Sequence, residues 1–228
     1  MQKSREANAS GDAGADLLDG AYALKSPEDN RAYYQRFADT YDQDFAAGLE
    51  YIYPEAVANA FLDLTNVPKG PVCDIGCGTG LVARHLKAKR PDIVIDGVDI
   101  SAAMLAVAAE KSLYQDLYEV DLTGDITSLP IGYAAVISAG TFTHGHLGPK
   151  PLRHLIRNCQ AGGVFCIGVN QKHYRTHDFA ECLISLVADN MITPPDLLET
   201  AIYARKAYKH SDDLALICRF RVVGQSTA

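Results

Sequence analysis

The sequence predicts an α/β fold, with a mostly parallel sheet, helices on both faces, a C-terminal edge hairpin and an N-terminal helical lid. Three observations carry this. From Val72 onward, short apolar runs alternate with segments of helical period, the pattern of βαβ units. Runs such as Ala134 to Ala139 and Val164 to Val169 are almost continuously apolar, as strands buried on both faces must be. Between the first run and the first helix of this series lies Asp74-Ile75-Gly76-Cys77-Gly78-Thr79-Gly80. There the chain must turn sharply and lie flat against a ligand, which the missing side chains of glycine permit.

Each element has its own signal. Residues 1–20 are rich in Ala, Gly, Ser and Asp and read as a flexible arm, which leaves 21–228 as one domain with a lid over about 21–66. Tyr33, Tyr34, Phe37, Ala38 and Tyr41 recur at helical spacing, with Asp29 or Asn30 as the cap. A second helix starts near Pro54 and carries Val57, Ala60, Phe61 and Leu64, since proline is tolerated in a first turn. Pro68-Lys69-Gly70-Pro71 breaks the chain. Strands are then expected over 72–74, 93–99, 118–122, 134–139 and 164–169, the last entered through the Ala161-Gly162-Gly163 turn. Helices are expected over 81–88, 102–111, 151–159 and 179–188. Stretches 198–208 and 214–223 read as a hairpin at the sheet edge, giving seven strands in all.

Composition narrows the function. A chain of 228 residues is long enough for one full core. A net charge of −7 and a pI near 5.4 supply no basic field, so nucleic acid is not expected as a partner. No apolar run approaches the roughly 20 residues that cross a bilayer, and no signal-peptide pattern opens the chain. The six cysteines form no Cys-x-x-Cys pair, so neither a metal site nor a disulfide framework is expected. Buried, reduced thiols in a cytoplasmic protein fit this usage.

Two ligand classes use a strand, a glycine loop and a helix N-terminus. A dinucleotide fingerprint needs Gly-x-Gly-x-x-Gly. From Gly76 its third position is Leu81, and from Gly78 it is Ala83, so a nucleotide oxidoreductase survives only as a weak alternative. Asp74 would repel a pyrophosphate and attract an ammonium. The loop resembles the first motif of class I S-adenosylmethionine-dependent methyltransferases, and Gly97-Val98-Asp99-Ile100-Ser101 with Met104 resembles their second. With Ala139-Gly140-Thr141-Phe142-Thr143-His144-Gly145-His146 and the tyrosine helix, the chain looks closest to the branch named after the Williams–Beuren region and its bacterial relatives. The resemblance covers roughly Tyr22 to Asn170. It implies a Rossmann-like, seven-stranded class I methyltransferase fold and S-adenosylmethionine as the cofactor, left as S-adenosylhomocysteine.

The resemblance also implies a site. Asp74 would hold the methionine ammonium, the backbone of Gly76, Cys77, Gly78 and Gly80 would line the ligand, and Asp99 would accept both ribose hydroxyls, with Asp96 as its rival. Ile100 and Met104 of the second motif would also bind the cofactor, and Asp121 would meet the adenine amine with Leu122 as the apolar wall, unless Asp125-Ile126 does so. Ala139 and Gly140 would approach the methionine part, and Tyr33, Tyr34 or Tyr41 would reach it from the lid. His144 and His146 are the candidate acid–base residues, unless they only brace their loop. Tyr34, Tyr53, Thr141, Phe142, His173 and Tyr174 are candidates for the acceptor pocket. The expected partner is a small-molecule acceptor, methylated in line, with no nucleic acid, no membrane and no metal, and with homodimerisation left open. The missing Asn/Asp-Pro-Pro-Tyr after the fourth strand disfavours a base or amide nitrogen as acceptor. A cofactor-binding interaction protein without catalysis is the rival from another class.

Overall fold

The computed structural model describes residues 14–205 and 208–224. Seven strands form one sheet: β1 (Val72–Ile75), β2 (Ile95–Asp99), β3 (Leu117–Glu119), β4 (Tyr133–Phe142), β5 (Cys159–Asn170), β6 (Asp196–Ala201) and β7 (Leu214–Arg221). Their order is β3-β2-β1-β4-β5-β7-β6. The first five strands are parallel, and β7 runs antiparallel to both β5 and β6. The chain winds outward from β1 to β3 and then returns to β4 on the other side of β1. That reversal opens a crevice beyond the carboxyl ends of β1 and β4, where ligands of open α/β sheets bind.

Both faces of the sheet are covered. Alternation along β1 sends Val72 to one face, with Val57, Phe61, Val82 and Leu86 from α3 (Tyr53–Leu62) and α4 (Leu81–Lys89). Cys73 and Ile75 go to the other, with Leu155, Phe179 and Leu183 from α6 (Leu152–Asn158) and α8 (Phe179–Ala188). The remaining helices after β2 and β5 are α5 (Ala102–Glu110) and α7 (Gln171–Thr176). Among the described residues, no helix is long and apolar enough to cross a membrane. Cys73, Cys77, Cys159, Cys166 and Cys218 are buried, Cys182 is half-buried, and all six are free.

The N-terminal region differs most from expectation. Residues 14–22 are helical (α1), and Leu18 is buried against Phe45 and Leu49, so the arm expected over 1–20 ends earlier; residues 1–13 lie outside the described residues. The tyrosine segment is not one helix. α2 (Pro27–Gln35) is capped by Ser26, whose side chain accepts from the Asp29 N–H, rather than by Asp29 or Asn30. At Phe37 the backbone leaves the helical region (φ −141°), and the chain continues as a 3₁₀ turn (Ala38–Thr40) and a π-helical segment (Tyr41–Ala47).

Smaller shifts have local causes. β5 starts at Cys159, not Val164, because Gly162 and Gly163 form a bulge in register with β4 rather than a turn before the strand. β6 ends at Ala201, since Tyr203 leaves the sheet to pair with Tyr51 of the lid. β3 lies at 117–119, one residue earlier than expected and shorter.

Candidate active site

The carboxyl ends of β1 to β5 open onto one cavity of about 510 Å³, within the roughly 300–1,000 Å³ of small-molecule sites. Its floor is the loop after β1, Asp99 and Ile100 after β2, Asp121 after β3 and Ala139 to Thr143 of β4; α1, α2 and the π-helical segment roof it with Leu18, Tyr22, Tyr34, Tyr41 and Phe45.

The end beneath β1, β2 and β3 is a polar cradle with apolar walls. Gly76 and Gly78 both have positive φ (62° and 53°). A Cβ on Gly78 would meet nothing within 4 Å, so this backbone lies bare against open space. Asp99 Oδ2 accepts the Gly78 N–H at 2.8 Å and Oδ1 accepts the Ser101 N–H at 2.9 Å. Burial raises the Asp99 pKa, and the backbone N–H groups partly offset this. Each oxygen keeps a lone pair for a further donor, an arrangement suited to two adjacent hydroxyls. Asp96 instead accepts from the Tyr133 hydroxyl inside the sheet. Ile100, Met104 and Leu122 supply flat apolar surface. Asp121 lines the cavity, but its Oδ1 closes the turn at Thr123 and its Oδ2 meets Arg31 of α2 at 3.4 Å. Asp125 closes a comparable exposed turn at Thr127.

The end beneath β4 and β5 is aromatic and carries histidines. His146 Nδ1 lies 2.8 Å from the His144 carbonyl, so it carries the proton; Nε2 is then a lone pair, and the Tyr34 hydroxyl donates to it at 2.8 Å. Both ring nitrogens are therefore engaged. Burial depresses the His146 pKa. By the same logic His173 Nε2 donates to the Leu147 carbonyl at 3.0 Å, which leaves Nδ1 as a bare lone pair. That atom is buried and has no partner. Burial pushes the His173 pKa down to about 4, with the Leu147 bond opposing and the neighbouring His177, His144 and His146 assisting. The Tyr53 hydroxyl, also buried without a partner, approaches so close to β5 that a Cβ on Gly168 would lie 1.9 Å from it. Thr141 and Phe142 line this end, joined by Tyr51 and Tyr203.

Six expected site residues do not line the cavity. Asp74 is fully buried beneath the glycine loop, where Oδ2 accepts from the Tyr114 hydroxyl at 2.8 Å and Oδ1 has no partner. Its partner Tyr114 lies beyond α5, and Asp74 itself is absent from the cavity lining. Cys77 points toward Gly97, and Gly80 caps α4 against the Tyr114 ring. Tyr33 donates to the Leu17 carbonyl, and Tyr174 stacks on Phe179. His144 faces a second hollow of about 370 Å³, shared with Lys172, His210 and Asp213. The sequence reading missed Tyr22, Phe45, Tyr51, Tyr203 and His177. Their signal was the tyrosine content, 12 in the chain against no tryptophan, but they lie far apart along the sequence. Among the described residues no group of three His, Cys, Asp or Glu side chains is placed to hold a metal ion.

Burial raises the Asp74 pKa to about 7, assisted by Asp99 and opposed by the Tyr114 bond. The folded chain therefore holds a proton that the unfolded chain, near 3.8, has released. That contribution to stability is present below the unfolded value and is lost as pH rises through the folded one. Asp74→Asn keeps the acceptor for Tyr114 and removes the charge. It is expected to raise the melting temperature of the ligand-free protein, by an increment that grows from about pH 4 to pH 7. An increment independent of pH in thermal denaturation would contradict a buried, titrating Asp74.

The lid is tied to the loop beneath it. Asp42 accepts from Lys111 Nζ and Thr79 Oγ1, each at 2.5 Å, and Lys111 also donates to the Thr79 carbonyl. Asn30 Nδ2 bridges the Ser26 and Gly145 carbonyls at 2.9 Å. Asp42→Ala is expected to speed amide exchange across 38–47 while the sheet keeps its protection, because local opening follows the loss of local ties. Unchanged exchange in that segment would mean that packing alone holds the lid.

This geometry has relatives. Residues 72–163 match the family model described as a methyltransferase domain. Residues 72–163 therefore form a methyltransferase domain, set in a sheet of the class I kind. It is 34% identical over 142 residues to human methyltransferase-like protein 27, of the Williams–Beuren region, covering 59% of this chain and 55% of that one. It is 32% identical over 130 residues to demethylmenaquinone methyltransferase of Thermotoga maritima, covering 56% and 53%. The chain thus spans about half the length of these curated relatives. Among solved structures, magnesium protoporphyrin IX methyltransferase from Synechocystis with bound S-adenosylmethionine overlays with a TM-score of 0.62 at 17% identity, over 88% of this chain and 98% of that one. The plantazolicin methyltransferase bound to S-adenosylhomocysteine overlays at 0.56 and 11% identity, over 99% and 100%. Identities of that order carry the fold alone. The class I cofactor, S-adenosylmethionine, fits the residues present: a bare glycine backbone, a carboxylate with spare lone pairs and flat apolar walls.

Proposed function

We propose that the protein transfers a methyl group from S-adenosylmethionine to a small-molecule acceptor held in the aromatic end of the cavity. The observation that carries this reading is one cavity with two chemically different ends, a glycine cradle with Asp99 at one and tyrosines with histidines at the other. Bound there, the cofactor supplies a methyl group already activated as a sulfonium. Asp99 would take the ribose hydroxyls, Ile100, Met104 and Leu122 would offer the adenine apolar surface, and Gly76, Gly78, Ala139, Gly140 and Tyr41 would hold the remainder. Tyr34, pinned by His146, holds the lid against the β4 loop. The chain's own task is to align the acceptor and exclude water, which is worth roughly 7–11 kcal/mol when the orientation is right.

Support for a small acceptor comes from the lid residues that border the cavity, Leu18, Tyr22, Tyr34, Tyr41 and Phe45, and from a net charge of −7 that repels polyanions. The relatives' names point to different acceptors, with trans-aconitate, demethylmenaquinone and ribosomal RNA among them, so they do not choose one for this chain. The test is to incubate the protein with methyl-labelled S-adenosylmethionine and a metabolite extract. Label in the small-molecule fraction is expected. Label confined to protein or RNA would refute the proposal.

A further inference from the structure

We propose that the carboxylate of the cofactor's methionine is held by two neutral hydroxyls, those of Tyr41 and Tyr51, and by no cationic side chain. This rests on the methyl-transfer reading above. Strand order sets the direction of the ligand. In the order β3-β2-β1-β4, a nucleoside whose ribose meets Asp99 after β2 and whose adenine turns to Leu122 after β3 has its amino-acid part over β1 and β4. Gly76 and Gly140, both with positive φ, border the cavity there. The Tyr51 hydroxyl comes down onto Gly140, where a Cβ would lie 2.6 Å from it. Tyr41 and Tyr51 flank Phe45, with ring centroids 4.9 Å and 5.4 Å from it, and all three line the cavity. Tyr51 is fixed from behind, its N–H bonded to the Ala46 carbonyl at 2.8 Å and its backbone bridged to Tyr203.

Donors for an anion are scarce here. A carboxylate drawn out of water needs hydrogen bonds or a counter-charge. Among the described cavity residues there is no arginine, and the one lysine, Lys25, is exposed in the lid. Three other phenols are already engaged or covered: Tyr34 donates to His146, Tyr22 donates to Asp213, and the Tyr53 oxygen has no free surface. The Thr141 hydroxyl donates to the Ile75 carbonyl. The hydroxyls of Tyr41 and Tyr51 bond to no described residue, both side chains are half-buried, and unlike that of Tyr53 neither oxygen is fully covered. Burial, with Tyr51, Tyr34, Asp42 and Asp99 nearby, raises the Tyr41 pKa well above the phenol range, and burial with Tyr22 nearby raises that of Tyr51. Each side chain therefore keeps its O–H at neutral pH and can donate it to an anion. The choice of phenols has a consequence for the reacting group. A guanidinium at this point would stand near the positive sulfonium and repel it, whereas a phenol grips the carboxylate and adds no charge.

The test compares two ligands by calorimetry: S-adenosylhomocysteine and its decarboxylated analogue, the same thioether with hydrogen in place of the carboxyl group. The unmodified protein is expected to bind S-adenosylhomocysteine about 10-fold or more tightly than the analogue. Tyr41→Phe and Tyr51→Phe each remove one O–H and keep the ring. Each should weaken S-adenosylhomocysteine about 10-fold and leave the analogue within about twofold. Retained binding of the analogue also shows that the variant is folded. Lys25→Ala should leave the preference between the two ligands intact. Equal affinities in the unmodified protein would overturn the proposal, and that comparison needs no variant. Loss of both ligands alike in the Phe variants would overturn it too, by giving the hydroxyls to the ammonium or to the lid. So would a preference abolished by Lys25→Ala. Failure of S-adenosylhomocysteine to bind the unmodified protein would instead overturn the underlying methyl-transfer reading.

Discussion

Asp99→Ala is expected to weaken S-adenosylhomocysteine binding by at least about 100-fold, the larger of two losses anticipated at the cradle. Hydrogen bonds to a charged acceptor are worth roughly 1.5–3 kcal/mol each, and a ribose would lose two of them. The substitution also frees the Gly78 and Ser101 N–H groups that Asp99 now orients, so the loop after β1 loses the contact that sets its height above β2. Asp99→Asn should lie between, since an amide oxygen still accepts but without charge. Isothermal calorimetry reads both. An affinity unchanged in Asp99→Ala would mean that the ribose sits elsewhere and that Asp99 serves only the loop.

Gly76→Ala is expected to cost nearly as much by a different route. The residue sits at φ 62°, and a Cβ there would lie 1.9 Å from Thr141 Oγ1 and 2.8 Å from Thr141 Cβ. Left-handed backbone costs a residue with a side chain roughly 1–2 kcal/mol, and overpacking adds about 1–3 kcal/mol. Thr141 cannot simply swing aside, because its hydroxyl is bonded to the Ile75 carbonyl at 3.0 Å and its β-branch restricts rotation. The strand ends of β1 and β4 must therefore separate, at the crevice itself. A lowered melting temperature together with lost cofactor affinity is the expected pair of results. A variant with normal stability and normal affinity would show that Thr141 moves freely.

The fold was legible because its signals are local and repeated. Apolar runs, helix periods and the glycine loop placed every strand of the parallel half within a few residues, and the antiparallel edge was visible as two strand-like stretches after α8. What the sequence could not show was where a side chain points once strands are registered. Asp74 and Asp99 look equivalent as carboxylates ending apolar runs, yet one is buried against Tyr114 and the other lines the cavity. The histidines illustrate the same limit. His144, His146 and His173 were all visible as candidates, but only tautomers fixed by the carbonyls of His144 and Leu147 separate an occupied ring from an open one. The lid was least legible. Tyr22, Tyr51 and Tyr203 meet over the site from three distant stretches, held by the Tyr51–Tyr203 bridge, and no local pattern announces such a meeting.

The central claim is that the cradle under the lid takes S-adenosylmethionine. Titration calorimetry of the unmodified protein with S-adenosylhomocysteine, with NADH as the control ligand, tests it most directly. Micromolar or tighter binding of S-adenosylhomocysteine and none of NADH is the predicted result. Binding of NADH alone, or of neither ligand, would contradict it.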